Sequence, residues 1–179
     1  AENKCLRNLG ITEVPLLILS HFHADHVGGL SGLLQSRRVG QVWISNNLEP
    51  LLESTQALAL LRESEIVTVQ KGLVSQIAGI TFEVLWPENT TRNFEAMPGD
   101  GSQVNNSSIA MLVTTPDWSI FTAGDLEPPA QHEILRSVRI VDIYKVCHHG
   151  SKYQDEELTE SELVMCAEHL KNIESLLAL

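Results

Sequence analysis

Three histidines and an aspartate fall within six residues, His21-Phe22-His23-Ala24-Asp25-His26, directly after the apolar run Val14–Leu19. Alternation along an extended or turning segment sends His21 and His23 to one side. The Asp25-His26 pair faces a second point a few residues on. Imidazole and carboxylate together suit zinc, manganese or iron. Two such groups of ligands can hold two ions, whose paired charge stabilises both the attacking and the leaving oxygen of a displacement. Gly28-Gly29 lets the chain turn tightly beyond the cluster. A lone histidine in a polar loop needs no function, but this density after a buried strand does.

The rest of the chain is read around that cluster. Residues 2–9 have the pattern of an amphipathic helix ended by Gly10. Helical sequence resumes after Gly29 to about 37, and again over 49–63. Short strands are expected at 42–45 and 66–69. From there the pattern turns to β. Runs 74–77 and 80–85 flank Ala78-Gly79 as a hairpin, and runs 108–114 and 119–122 form another across Pro116-Asp117. Pro128 and Pro129 open a helix to about Arg136, and 141–146 reads as a further buried strand. Residues 155–177 have apolar positions at helical spacing. Helices and strands in this order predict an α/β layered domain, with chemistry in the loops at strand ends.

Two more polar segments occupy such strand ends. Asp125 closes Phe121-Thr122-Ala123-Gly124-Asp125, and its carboxylate is placed to bridge two metals. Glu127, two residues on, is expected to be solvated. Cys147-His148-His149-Gly150-Ser151 follows the 141–146 run. Adjacent residues at a strand end point opposite ways, so one of His148 and His149 is a candidate ligand. The other would orient a ligand, donate to a leaving group or contact substrate. Asn105-Asn106 precede a strand, where an amide could reach the metals or simply form a turn. His132 and His169 read as exposed helical histidines, and Cys147 as core.

Charge narrows the partners. The chain carries a net −11, and residues 155–179 alone hold seven acids and one lysine. No basic stripe is present to grip nucleic acid through phosphates, so an anionic substrate would need a local positive centre such as a bound metal. Cys5, Cys147 and Cys166 form neither a disulfide framework nor a CxxC pair. No apolar run approaches the ~20 residues of a membrane span.

His21-Phe22-His23-Ala24-Asp25-His26 with Val27-Gly28-Gly29-Leu30 resembles the signature of the metallo-β-lactamase superfamily. Asn105-Asn106-Ser107-Ser108, Phe121–Glu127 and Val141–Ser151 resemble, within it, the hydrolase domain of ComEC-type competence proteins. The likeness covers about residues 3–154. It implies an αββα sandwich and a metal-dependent hydrolase using a metal-bound hydroxide, a phosphodiesterase or nuclease related to DNA uptake. It implies one or two divalent ions, Zn or Mn: His21 and His23 on the first, Asp25, His26 and His149 on the second, Asp125 between them. Asp25 and His148 are the catalytic candidates; Asn105, Asn106 and Ser151 are possible substrate or weak metal contacts. The family's usual third histidine for the first metal has no counterpart between His26 and His132, so the first site is expected to be the weaker.

The resemblance also implies single-stranded DNA as the substrate of a longer parent, whose membrane channel portion would carry this domain outside the cytoplasm. The family's Asp-Val-Gly-Gln-Gly-Asp start and closing Gly-His-Pro segment are not found, so the expectation is an incomplete sandwich over 1–154 with an acidic helix over 155–179. The alternatives are lactone, thioester or small phosphoester hydrolysis on the same scaffold, or a non-catalytic domain that binds a metal or a partner.

Overall fold

The computed structural model describes residues 2–47, 51–88, 97, 102–152 and 154–155. In chain order the regular elements are α1 (Glu2–Asn8), β1 (Glu13–Ile18), α2 (Ala24–Val27), α3 (Leu30–Leu34), β2 (Arg38–Ser45), α4 (Leu52–Leu60) and β3 (Glu65–Val69). They continue with β4 (Val74–Ile77), β5 (Ile80–Trp86), β6 (Ala110–Thr114), β7 (Ser119–Thr122), α5 (Pro128–Ile134) and β8 (Ile143–Tyr144).

The strands form two sheets. In the first, β1, β2 and β3 are parallel, with Leu17 opposite Val42 and Val42 opposite Ile66. The crossovers run through α2–α3 and α4, as parallel pairing requires. In the second, β4 to β7 are consecutive antiparallel neighbours and β8 lies parallel to β7. Ala78 and Gly79, both at positive φ (51° and 82°), make the two-residue turn between β4 and β5.

Strand alternation then builds three cores. On β2, Val42 and Ile44 pack with Leu30, Leu33, Ala57 and Leu61 of the helices. Trp43, pointing the other way, meets Val84 and Met111 of the second sheet. On β6, Ala110 and Leu112 face away from Met111 and pack with Leu126, Ala130 and Ile134 around α5. Apolar side chains on both faces of β2 and β6 are what a doubly covered sheet demands. The layers run helix, sheet, sheet, helix: an αββα sandwich.

The sequence reading differs from the structure at the second sheet's edge. The run 141–146 was expected to be a buried strand, but β8 has two residues and Ile143 is half-exposed. Asp142 marks where the strand starts: its Oδ2 accepts from the backbone N and the Oγ of Ser119, at 2.7 and 2.8 Å. A carboxylate thereby takes the place of a strand partner. Tyr144 holds the edge by stacking on Phe121 at 5.3 Å. The acidic stretch expected to be helical, with Cys166 and His169, lies outside the described residues apart from Asp155. Asp155 N donates to Gln131 Oε1 of α5 at 2.7 Å. Among the described residues no helix is long and apolar enough to cross a membrane.

Candidate metal centre

The centre begins where β1 leaves the first sheet. Leu19 N still donates to Trp43 O of β2, and the next carbonyl, Ser20 O, accepts from Ile109 N of the second sheet. The chain therefore enters the seam between the sheets at this point. Phe22 turns into the helix-side core, which leaves His21 and His23 on the opposite side, with His21 fully buried. Asp25 and His26, expected to face a second point beyond the histidine pair, lie on the single helical turn α2. Gly28 N closes that turn on Ala24 O at 2.7 Å, and a Cβ at Gly28 would sit 2.5 Å from the same oxygen. Only glycine fits there.

The second sheet delivers the other half. Beyond β7, Gly124 adopts φ +54°, and a Cβ there would lie 2.8 Å from both Ser108 Oγ and Ser20 Cβ. Asp125 follows, its backbone N donating to Ser108 Oγ at 3.0 Å. Asp125 Oδ2 is 3.1 Å from His26 Nε2, 3.4 Å from His149 Nε2, 3.8 Å from His21 Nε2 and 3.9 Å from His148 Nε2. His148, His149 and Gly150 all have positive φ (45°, 53° and 78°), a costly backbone for two histidines. The turn is pinned by His148 N donating to Gly124 O at 3.0 Å. It brings His149 Nε2 within 3.2 Å of His26 Nε2 and 3.3 Å of Asp25 Oδ2.

Two clusters result. Asp25, His26, Asp125 and His149 each offer an atom, and these atoms all lie within 4.8 Å of one another. Beside them, His21 Nε2 and His23 Nδ1 face each other at 3.2 Å. Two nitrogens bound to one tetrahedral ion at 2.0–2.1 Å stand about 3.3 Å apart, so both histidine pairs have the spacing of shared ligands. Asp125 Oδ1 is buried with no hydrogen-bond partner, an expensive state for a carboxylate oxygen unless a cation meets it. The donor set fits divalent ions.

The outward ring nitrogens are also provided for. His21 Nδ1 is 3.2 Å from both Ser20 Oγ and Ser108 Oγ, and His26 Nδ1 is 3.3 Å from Ser20 Oγ. With these hydroxyls accepting from Nδ1–H, the Nε2 lone pairs are left for a cation; with no ion bound, His26 Nε2–H donates to Asp125 Oδ2 at 3.1 Å instead. Burial, aided by the neighbouring His26, lowers the His21 pKa to about 3, so this ring is neutral and ligand-competent at any ordinary pH. For Asp125 burial pushes upward, but the hydrogen bond from His26 and the adjoining imidazoles outweigh it and hold the carboxyl at about 2. Burial raises Cys147 to about 11, which leaves it an inert core thiol.

The remaining candidates sit around this centre. Asn105 and Asn106, both buried, turn their side-chain amides to Glu127 at 3.0 and 3.3 Å. Ser151 closes the histidine turn, its N donating to His148 O at 2.8 Å. His132 lies on the exposed side of α5, with Nδ1 3.3 Å from Asp155 Oδ2. Glu127 corrects the expectation of a solvated side chain: it is 1% exposed. Ser20, Ser102 and Ser108 were not singled out from sequence. For Ser20 the one available signal is its place beside the first histidine.

The family model of the metallo-beta-lactamase superfamily matches residues 2–155. The chain is 31% identical over 147 residues to ComE operon protein 3 of Bacillus subtilis, covering 80% of this chain and 18% of that protein. It is 26% identical to Recombination protein 2 of Haemophilus influenzae, over 82% of this chain and 16% of that one. It thus spans less than a fifth of these curated relatives. Among solved structures, a metallo-β-lactamase from Cronobacter sakazakii (the S60 mutant of its HARLDQ-motif enzyme) superposes with TM-score 0.52 at 14% identity, covering 99% of this chain and 80% of that one. The diiron β-hydroxylase CmlA of Streptomyces venezuelae gives TM-score 0.52 at 21% identity, over 74% and 25%. Both likenesses concern the fold.

Proposed function

Since the chain belongs to the metallo-β-lactamase superfamily, we propose that it is a metal-dependent phosphodiesterase acting on single-stranded DNA, the hydrolase portion of a longer ComEC-type protein. The observation that carries this reading is the meeting of Asp25, His26, Asp125 and His149 at one point, next to a second, histidine-lined one. His21 and His23 would hold one divalent ion and Asp25, His26 and His149 another, with Asp125 serving both. Zinc and manganese both suit mixed imidazole and carboxylate ligation. Ions bound there would activate a water and neutralise charge gathering on the phosphoryl oxygens.

The protein's own groups handle the protons and the pose. Asp25, the exposed carboxylate of the centre, accepts the proton of the attacking water. The water oxygen forms the new bond to phosphorus and the ester P–O bond breaks. His148, its ring 14% exposed at the lip of the centre, donates to the departing oxygen. The positive centre supplies locally what a net −11 surface does not. In a longer parent, a membrane channel portion would bring the strand to this domain outside the cytoplasm.

Metal content by elemental analysis, on wild type and Asp125→Ala, paired with cleavage of single-stranded DNA under added manganese, tests the reading. Nearly two ions per chain with cleavage, both lost in the variant, supports it. Ions without DNA cleavage but with lactone, thioester or small phosphoester hydrolysis moves the substrate class. No bound ion and no cleavage overturns it in favour of a partner-binding domain.

A further inference from the structure

We propose that Glu127 is the positioning residue of the His21–His23 pair, acting on His23 through Ser102. The inference rests on the metal-centre reading and deepens it: Glu127 touches none of the candidate histidines, nor Asp25 or Asp125, yet fixes the ring whose Nδ1 completes the pair with His21.

The contacts around Glu127 are one-sided in a way that defines its chemistry. Oε1 accepts from Ser102 N at 2.6 Å and from Asn105 Nδ2 at 3.0 Å. Oε2 accepts from Met97 N at 3.0 Å and from Asn106 Nδ2 at 3.3 Å. All four partners are N–H donors, so both oxygens must accept. A carboxylate meets that demand, whereas an amide would set its own NH2 against two donors. The residue is held from its backbone as well, its N donating to Asn106 Oδ1 at 3.2 Å while its carbonyl accepts from Ala130 and Gln131 N of α5.

This knot reaches the centre at one place. Ser102, gripped by Glu127 through its backbone, presents Oγ 3.2 Å from His23 Nε2. The same oxygen accepts from Asn105 N at 3.2 Å, which leaves a lone pair for His23 Nε2–H. With the proton on Nε2, His23 Nδ1 carries its lone pair toward His21 Nε2, 3.2 Å away. His23 comes from the first sheet, and Glu127 stands two residues from Asp125 in the second. One short segment thus supplies the shared carboxylate and, through a hydroxyl, the bearing of a ring across the seam. No comparable link runs from Glu127 to His26 or His149 among the described contacts.

The test is zinc titration by calorimetry on the metal-free full chain, with long-range 1H–15N NMR of the histidine rings in the same metal-free samples. His149→Ala identifies which binding step belongs to the exposed cluster. In Glu127→Gln and in Ser102→Ala the other step should weaken by about 10–100-fold, the usual cost of losing an outer hydrogen-bond partner, with the exposed cluster's step unchanged. His23 should change from a single Nε2–H tautomer to a mixture in both variants, and Glu127→Asp should recover part of the single tautomer. Unchanged binding and an unchanged tautomer in folded Glu127→Gln, or equal weakening of both steps, overturns the inference. Should Glu127→Gln not fold, Ser102→Ala decides by the same criteria. Wild type that binds no zinc refutes the metal-centre reading alone, and the His23 tautomer still decides the role of Glu127.

Discussion

The two halves of the centre solve one problem in opposite ways. Around Asp25, His26 and His149 the proposed ligands are numerous, but Asp25 and His149 are well exposed, 62% and 58% by side chain. Around His21 and His23 there are two rings and a share of Asp125, yet His21 is fully buried and its outward nitrogen is met by two serine hydroxyls. An exposed cluster attracts a cation by charge but must order its side chains on binding. The His21 side has few donors, but they are already in place. Ligand number and preorganisation are separate routes to affinity, and the seam between the sheets lets one molecule use both.

The most damaging change to this arrangement is Asp125→Ala, which removes the one side chain common to both halves. Ion content should fall to near zero and activity by more than about 100-fold, beyond the cost of losing a mere outer partner; elemental analysis and turnover check it. His149→Ala and His23→Ala should then separate the halves, each abolishing a different step in a zinc titration. If both remove the same step, there is one site and the comparison fails. Gly124→Ala should disturb both halves mildly by pushing Ser20 and Ser108 apart. Its left-handed backbone predicts a loss of about 1–3 kcal/mol, read as a drop of several degrees in Tm. The smallest effect is pH dependence of the metal-free fold. Folded His21 stays neutral down to about 3 while the unfolded residue takes a proton near 6.5, so stability should decline as pH falls through that window. Asp125, held near 2 against an ordinary 3.8, extends the decline below pH 4. Thermal melts in chelator across pH 3–8 measure both, and His21→Asn should flatten the upper part.

Much of this was legible in the amino-acid order where the signal is local. His21, His23 and His26 declare themselves by density after a strand, and Asp125 and the His148-His149 pair by standing at strand ends. What sequence spacing does not carry is the meeting of His26 with Asp125 and His149, 99 and 123 residues away. The one-turn helix α2 is too short for periodicity to reveal. The run 141–146 looked like a buried strand because nothing in it announces that Asp142 will cap Ser119. Glu127 reads as a solvated acid in the sequence since its donors, Ser102, Asn105 and Asn106, lie more than twenty residues upstream.

Because the proposed ligands are drawn from both sheets, an ion at the centre would also be a rivet. His26 and Asp125 stand 99 residues apart in the chain, and an ion held by the folded chain but not the unfolded one would stabilise the fold by mass action, about 2.7 kcal/mol at a hundredfold excess over its Kd. Metal supply would then govern how long the folded chain survives as well as what it can cleave. Starved of ions, the same polypeptide would open along its seam more often; replenished, it would be fastened shut.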